Sequence, residues 1–204
     1  KEDFYKSSQY LDVYLKKSGN VRKEDIYQLA YSQYKSGDYI NAVNNFQDVI
    51  ILKDSLAQNA LYNLADCYLK LGQKQNGRNA FISAAKLGLD KSITEISLFN
   101  SAKLSFELGY NKIAINSFQS FIGDFPKSIY MVEAQELLTD VFLATRDYKS
   151  AISVIESVKE KSPKMLLAYQ KVSYLNGVQL YNDKNFSGAI SQFELSLKYP
   201  IETD

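Results

Sequence analysis

Residues 57–90, AQNALYNLADCYLKLGQKQNGRNAFISAAKLGLD, decide how this chain is read. Leu61, Leu64, Ala65 and Tyr68 fall at spacings of three and four, which places them on one face of a helix. After the polar turn Lys70-Leu-Gly-Gln-Lys74, the residues Gly77, Phe81 and Ala84 repeat that spacing. A small residue lets two helices approach closely, and the aromatic four positions later fills the space beyond it. Gly72 stands where a helix C-terminus favours a left-handed residue, because it has no Cβ to clash. The stretch therefore predicts two amphipathic helices joined by a short turn.

The same unit recurs along the chain. Small residues stand at Ala42, Gly77, Ala114, Ala151 and Ala189, at intervals of 35, 37, 37 and 38, and four residues beyond each is Phe46, Phe81, Phe118, Ile155 or Phe193. Turns precede them at 35–39, 70–74, 107–111, 144–148 and 182–186. Glycine occupies the first three (Gly37, Gly72, Gly109), and Arg146 and Lys184 replace it in the last two, where Asp147 and Asn185 can cap the following helix. All three prolines, Pro126, Pro163 and Pro200, are 37 apart. They are expected to stop three of the second helices, since proline lacks an N–H and disfavours helix in the residue before it. A period in this range marks a chain built by stacking one helical hairpin. The predicted class is all-α, a solenoid of antiparallel helix pairs.

Composition narrows the functions. Net charge is +1, with three arginines, Arg22, Arg78 and Arg146, and no basic stripe, so nucleic acid is not the expected partner. The chain has no histidine and one cysteine, Cys67. That excludes a Cys/His zinc site, a histidine-dependent triad and an internal disulfide. No cofactor or metal is expected. The longest apolar runs, such as Val49-Ile-Ile-Leu52, are about one helical turn, far from the ~18 residues of a membrane span.

These residues carry a resemblance to the tetratricopeptide repeat, whose signature runs aromatic, Leu-Gly, Tyr, then Ala, Phe and Pro over about 34 residues. The second unit has Leu61-x2-Leu64-Ala65-x2-Tyr68 and Gly77-x3-Phe81-x2-Ala84. The first has Leu29-Ala30, Gly37-Asp38-Tyr39 and Ala42-x3-Phe46, and the third has Ala102, Gly109, Ala114-x3-Phe118 and Pro126. Five repeats are expected, at about 24–54, 57–90, 94–126, 131–163 and 168–200, within one array spanning 1–204. Residues 3–17 resemble the second helix of a repeat whose first helix is missing, and the chain reads as a piece of a longer array. No repeat opens on tryptophan, and Thr139 and Gly177 vary the small position. The segment Asp124-Phe-Pro-Lys-Ser-Ile-Tyr130 followed by Glu133-Ala134 resembles repeats of bacterial envelope lipoproteins and periplasmic adaptors. It favours a periplasmic or cell-envelope location over a cytoplasmic one.

The resemblance implies a right-handed superhelix whose first helices line a concave groove, with the fifth, ninth and twelfth positions of each repeat facing it. Those positions are Tyr27, Tyr31 and Tyr34; Tyr62, Asp66 and Leu69; Phe99, Lys103 and Phe106; Glu136, Asp140 and Leu143; Tyr174, Val178 and Tyr181. Tyrosine offers an apolar face with a polar tip and suits peptide recognition, although such rings also pack between repeats. Gripping of a partner's C-terminal carboxylate is not expected: Asn63 fits that mode, but Tyr27 and Tyr31 stand where Lys and Asn are needed. Glu133, Glu136 and Asp140 share a helical stripe and are expected to be solvated. Cys67, beside Asp66, reads as a buried structural thiol.

The expected function is a non-catalytic scaffold that binds a protein or peptide, probing it with tyrosine and phenylalanine and with Asp66, Lys103 and Asp140 for polarity. The alternative is a peptide-sensing regulatory domain of a larger signalling protein.

Overall fold

The computed structural model describes residues 2–51 and 53–198, and among them every regular element is an α-helix. In chain order these are α1 (Glu2–Lys17), α2 (Lys23–Ser36), α3 (Tyr39–Val49), α4 (Ser55–Lys70), α5 (Lys74–Leu87), α6 (Lys91–Glu107), α7 (Asn111–Asp124), α8 (Met131–Ala144), α9 (Tyr148–Ser157), α10 (Pro163–Asn182) and α11 (Phe186–Leu197). The chain divides into two compact units at the turn between Gly109 and Tyr110. None of the described helices is long and apolar enough to cross a membrane.

In the first unit each helix from α1 to α6 packs on the next, and the first helices of successive repeats, α2, α4 and α6, also touch. Its core holds Ala42, Phe46, Val49, Ala65, Phe81 and Ala84, the small and aromatic positions of the repeat pattern. At Gly77 the helices approach closely: an added Cβ would lie 2.9 Å from Leu69 Cδ2 and 3.2 Å from the Ala65 carbonyl oxygen. Helix α1 packs on α2: the Phe4 ring meets Tyr31 edge-on at 6.2 Å, and the Ser7 and Ser32 hydroxyls lie 3.2 Å apart.

In the second unit α7 to α11 pack in chain order, and α8 also touches α10. Phe118, Phe121, Leu138, Val141, Ala151, Ile155 and Val172 are buried there.

The turn chemistry agrees with the sequence. Gly37, Gly72 and Gly109 have φ of 99°, 73° and 78°, and Arg146 and Lys184 take the same left-handed conformation at 60° and 62°. Asp38, Asp147 and Asn185 each accept a bond from the third residue of the helix they precede. Asp54 and Asp90 cap α4 and α6 in the same way.

The prolines behave differently from expectation. Pro126 follows the end of α7, as predicted. Pro163 starts a helix instead of stopping one. It occupies the first turn of α10 behind the cap Ser162, with five residues separating it from the previous helix, and there its fixed φ is helical and its missing N–H is one the helix leaves unbonded. Pro200 lies outside the described residues, as does the end of the fifth repeat.

Candidate functional site

On α2, spacings of four and three align Tyr27, Tyr31 and Tyr34, each half-buried. Tyr27 stacks on Tyr31 at 6.2 Å with 14° between the planes, and Tyr31 meets Tyr34 at 6.2 Å. The Lys35 ammonium lies 5.4 Å from the Tyr31 ring centre and 5.6 Å from that of Tyr34, close enough for the ring faces to attract it. Tyr27 also packs edge-on against Phe46 in the core.

Two hydrogen bonds tie this row to α4. The Tyr34 hydroxyl donates to Asp66 Oδ2 at 2.6 Å, and Asn63 Nδ2 donates to the Tyr27 hydroxyl at 3.2 Å. Burial first, and then the bond to Asp66 and its charge, push the Tyr34 phenol well above its usual range. Burial also raises Tyr27, with Tyr31 adding to the effect and the bond from Asn63 opposing it. Both phenols stay protonated at physiological pH, so their hydroxyls remain available for hydrogen bonding. Tyr62, one turn from Asp66 on α4, packs edge-on against Phe81 at 5.7 Å.

Beside the aromatic row, α4 and α6 enclose a pocket of about 300 Å³ lined by Leu69, Asn100, Lys103, Leu104, Lys74 and Glu107. Lys74 Nζ and Glu107 Oε2 pair at 2.8 Å on its wall. The unit therefore brings Tyr27, Tyr31, Tyr34, Tyr62, Leu69 and Lys103 together along its three first helices. The inner edges of these tyrosines and of Leu69 rest on the core, so one ring serves packing on one side and exposure on the other. Phe106 is partly exposed on α6.

Phe99 departs from the expectation. It is only 3% exposed and belongs to the interior. Helix α6 packs on both α5 and α4, and Ser97, Phe99, Ser101, Ala102, Leu104 and Ser105 are all buried. A helix buried around so much of its circumference has no narrow face to be placed by position alone. Asp66 also differs: it is engaged by Tyr34 inside the face.

In the second unit the acidic stripe is not simply solvated. Lys164 Nζ lies 3.1 Å from Asp140 Oδ2 and 3.6 Å from Glu136 Oε2, and Glu136 also accepts from the Ser162 hydroxyl. Partial burial lowers the affinity of Lys164 for its proton, but the bond to Asp140 and the two carboxylates prevail and raise it. Tyr174 and Tyr181 are exposed, with their rings against Phe193 at 5.9 Å and Phe186 at 5.4 Å. Leu143 and Val178 are half-buried.

Sequence reasoning missed Lys164, which stands 24 residues after Asp140 with no periodic signal. It also missed Gln58, wholly buried in α4. Gln58 Nε2 donates to the carbonyls of Ala84 (3.1 Å) and Asp90 (3.2 Å) and to Thr94 Oγ1 (3.1 Å), and its Oε1 accepts from the Asp90 N–H at 2.6 Å. One side chain thus joins the end of α5 to the start of α6.

A family model described as anaphase-promoting complex, cyclosome, subunit 3 matches residues 6–84. No curated protein matches the sequence. Among solved structures, the C-terminal part of a TPR repeat-containing protein from Cytophaga hutchinsonii is similar, with a TM-score of 0.63 and 14% identity over 97% of this chain and 74% of that one. YrrB, described as a TPR protein with an unusual peptide-binding site, has a TM-score of 0.59 and 16% identity, covering 88% of this chain and 87% of its own. MamA follows with 0.56 and 15%, over 89% and 97%. At such identities these likenesses bear on fold alone. The repeat residues, the helix pairs they build and these likenesses give the chain the fold of tetratricopeptide-repeat proteins, an all-α solenoid of stacked helix pairs.

Proposed function

We propose that the chain is a non-catalytic scaffold that binds a segment of a partner protein across the first-helix face of its first unit. The observation that carries this reading is the aromatic row of α2 and α4 standing beside the pocket of Leu69 and Lys103. Rings already fixed by packing lose little conformational freedom on binding and offer broad apolar contact. An apolar side chain of the partner would lie over Tyr31 and Tyr62, with a polar or acidic group towards Lys35 and the pocket. The peptide-binding site named for YrrB lends support, since that protein has the same type of fold. Tyr174 and Tyr181 of the second unit offer a separate aromatic contact. The non-catalytic reading rests on a sequence without histidine. A cell-envelope location belongs to this proposal, motivated by residues 124–134, and fractionation of the native cell reads it directly.

The test is selection of peptides from a random display library against the 204-residue chain, followed by affinity measurement. Tyr31→Ala with Tyr62→Ala is expected to weaken the selected peptides by at least about tenfold, the scale of losing central aromatic anchors, with helicity unchanged. Undiminished binding by a folded double variant refutes the face.

A further inference from the structure

We infer that the chain carries a second binding site, for a neutral saccharide, in the polar hollow of about 500 Å³ between α1 and α3. It is distinct from the aromatic face and does not rest on the function proposed above.

The floor of the hollow is Gln33 of α2, a carboxamide more than nine-tenths buried. Its Oε1 accepts from Asn45 Nδ2 at 2.7 Å, while its Nε2 has no partner among the described residues. Here the unused donor borders the hollow, where water or a ligand oxygen can accept from it.

The walls continue the same chemistry. Gln9 Nε2 donates to the Tyr5 hydroxyl at 2.8 Å, and Asn41 Nδ2 donates to Asp38 Oδ2 at 2.8 Å. Gln9, Asn41 and Asn45 thus each spend the amide nitrogen internally and keep the carbonyl oxygen. Asn44, exposed on α3, makes no side-chain hydrogen bond to another described residue. Donors and acceptors consequently stand side by side, all uncharged. The charges present are already engaged: Asp12 pairs with Lys16 at 2.6 Å, and Asp38 holds the start of α3 through Asn41. An anion would meet the carboxylates of Asp12 and Asp38, and Asp38, held by neutral amides alone, can accept a further hydroxyl from a ligand.

Two neutral ligands present dense donors and acceptors: a peptide backbone and a sugar. A peptide also brings side chains, whose affinity comes from apolar pockets, and the hollow has none. Its one large apolar surface is the exposed ring of Tyr5, suited to the C–H face of a pyranose. Each sugar hydroxyl donates once and accepts twice, which fits amides that have one atom committed and one to spare. The composition favours the saccharide.

The test is amide-detected NMR titration of the whole chain with cellobiose, maltotriose and diacetylchitobiose, and with trialanine as the peptide probe. At least one saccharide is expected to shift the side-chain amides of Gln33, Asn44 and Asn45, with trialanine leaving them in place. Asn44→Ala, which breaks no side-chain hydrogen bond among the described residues, is expected to weaken that saccharide about fivefold to tenfold, the scale of one or two lost hydrogen bonds. Ile129→Ala, an exposed position of the second unit outside the hollow, should leave it unchanged. Amides unmoved by every saccharide up to tens of millimolar, trialanine shifting the same amides, or full affinity in Asn44→Ala would each overturn the assignment.

Discussion

Replacing Gln58 with leucine tests whether a single buried amide holds the α5–α6 junction. Leucine keeps much of the volume, so the change is mainly in hydrogen bonding. Helix α5 ends at Gly88, which makes no backbone bond back into the helix, and last-turn carbonyls lack onward helical partners. Gln58 supplies one to Ala84, and its Oε1 takes the Asp90 N–H at the mouth of α6. Each group left without its partner costs about 1–3 kcal/mol. Asp90 is exposed, so water recovers part of its share, and the expected loss is about 2–4 kcal/mol. For a chain of this size that corresponds to a fall in Tm of roughly 5–15 °C. Urea denaturation measures the total. Native-state amide exchange locates it, with the largest loss of protection expected at Ser92, Ile93 and Thr94. A destabilisation below about 0.5 kcal/mol, within the range of ordinary surface substitutions, would refute the reasoning. So would a loss that leaves the start of α6 as protected as before.

Two further outcomes follow from the packing. Gly177→Ala would place a Cβ 2.6 Å from Cε1 and 2.7 Å from Cδ1 of Phe193, and the resulting overpacking of α10 on α11 should cost about 1–3 kcal/mol; an unchanged urea midpoint would show that the ring yields freely. Cys67 is buried, and that burial, followed by the Asp66 charge, pushes its thiol from 9.0 up to about 12. Because the folded value is the higher one, the associated stability is fully present below pH 9 and fades as pH rises towards 12. Cys67→Ala should therefore flatten the alkaline fall in stability between these limits, and the native thiol should resist alkylation at pH 8 until urea exposes it. Rapid labelling of the folded chain, or identical pH profiles, would count against the buried thiol.

The turns were legible because their chemistry is local. A left-handed residue or a side-chain cap involves neighbours within four positions, so Gly37, Asp147 and Asn185 announce themselves, and so does the substitution of Arg146 and Lys184 for glycine. Pro163 was legible as a boundary but not as to which side of it the helix lies. A proline suits the residue after one helix and the first turn of the next, and only the length of the linker before α10 separates the two. Phe99 shows the corresponding limit for the site. Periodicity places a residue on a face, but α6 is covered from two directions, so the face that periodicity would expose is closed by packing.

By itself the sequence determined the architecture: a period of 35 to 38 residues, the small and aromatic positions four apart, and the punctuation of the turns. Tertiary structure decided which polar groups meet. Tyr34 reaches Asp66 across 32 residues, Gln58 reaches Asp90 across 32, and Lys164 reaches Asp140 across 24. Burial of apolar surface is non-directional and leaves a periodic trace along the chain. A hydrogen bond between side chains on separate helices depends on distance and angle within a few tenths of an ångström, which only the packed helices set.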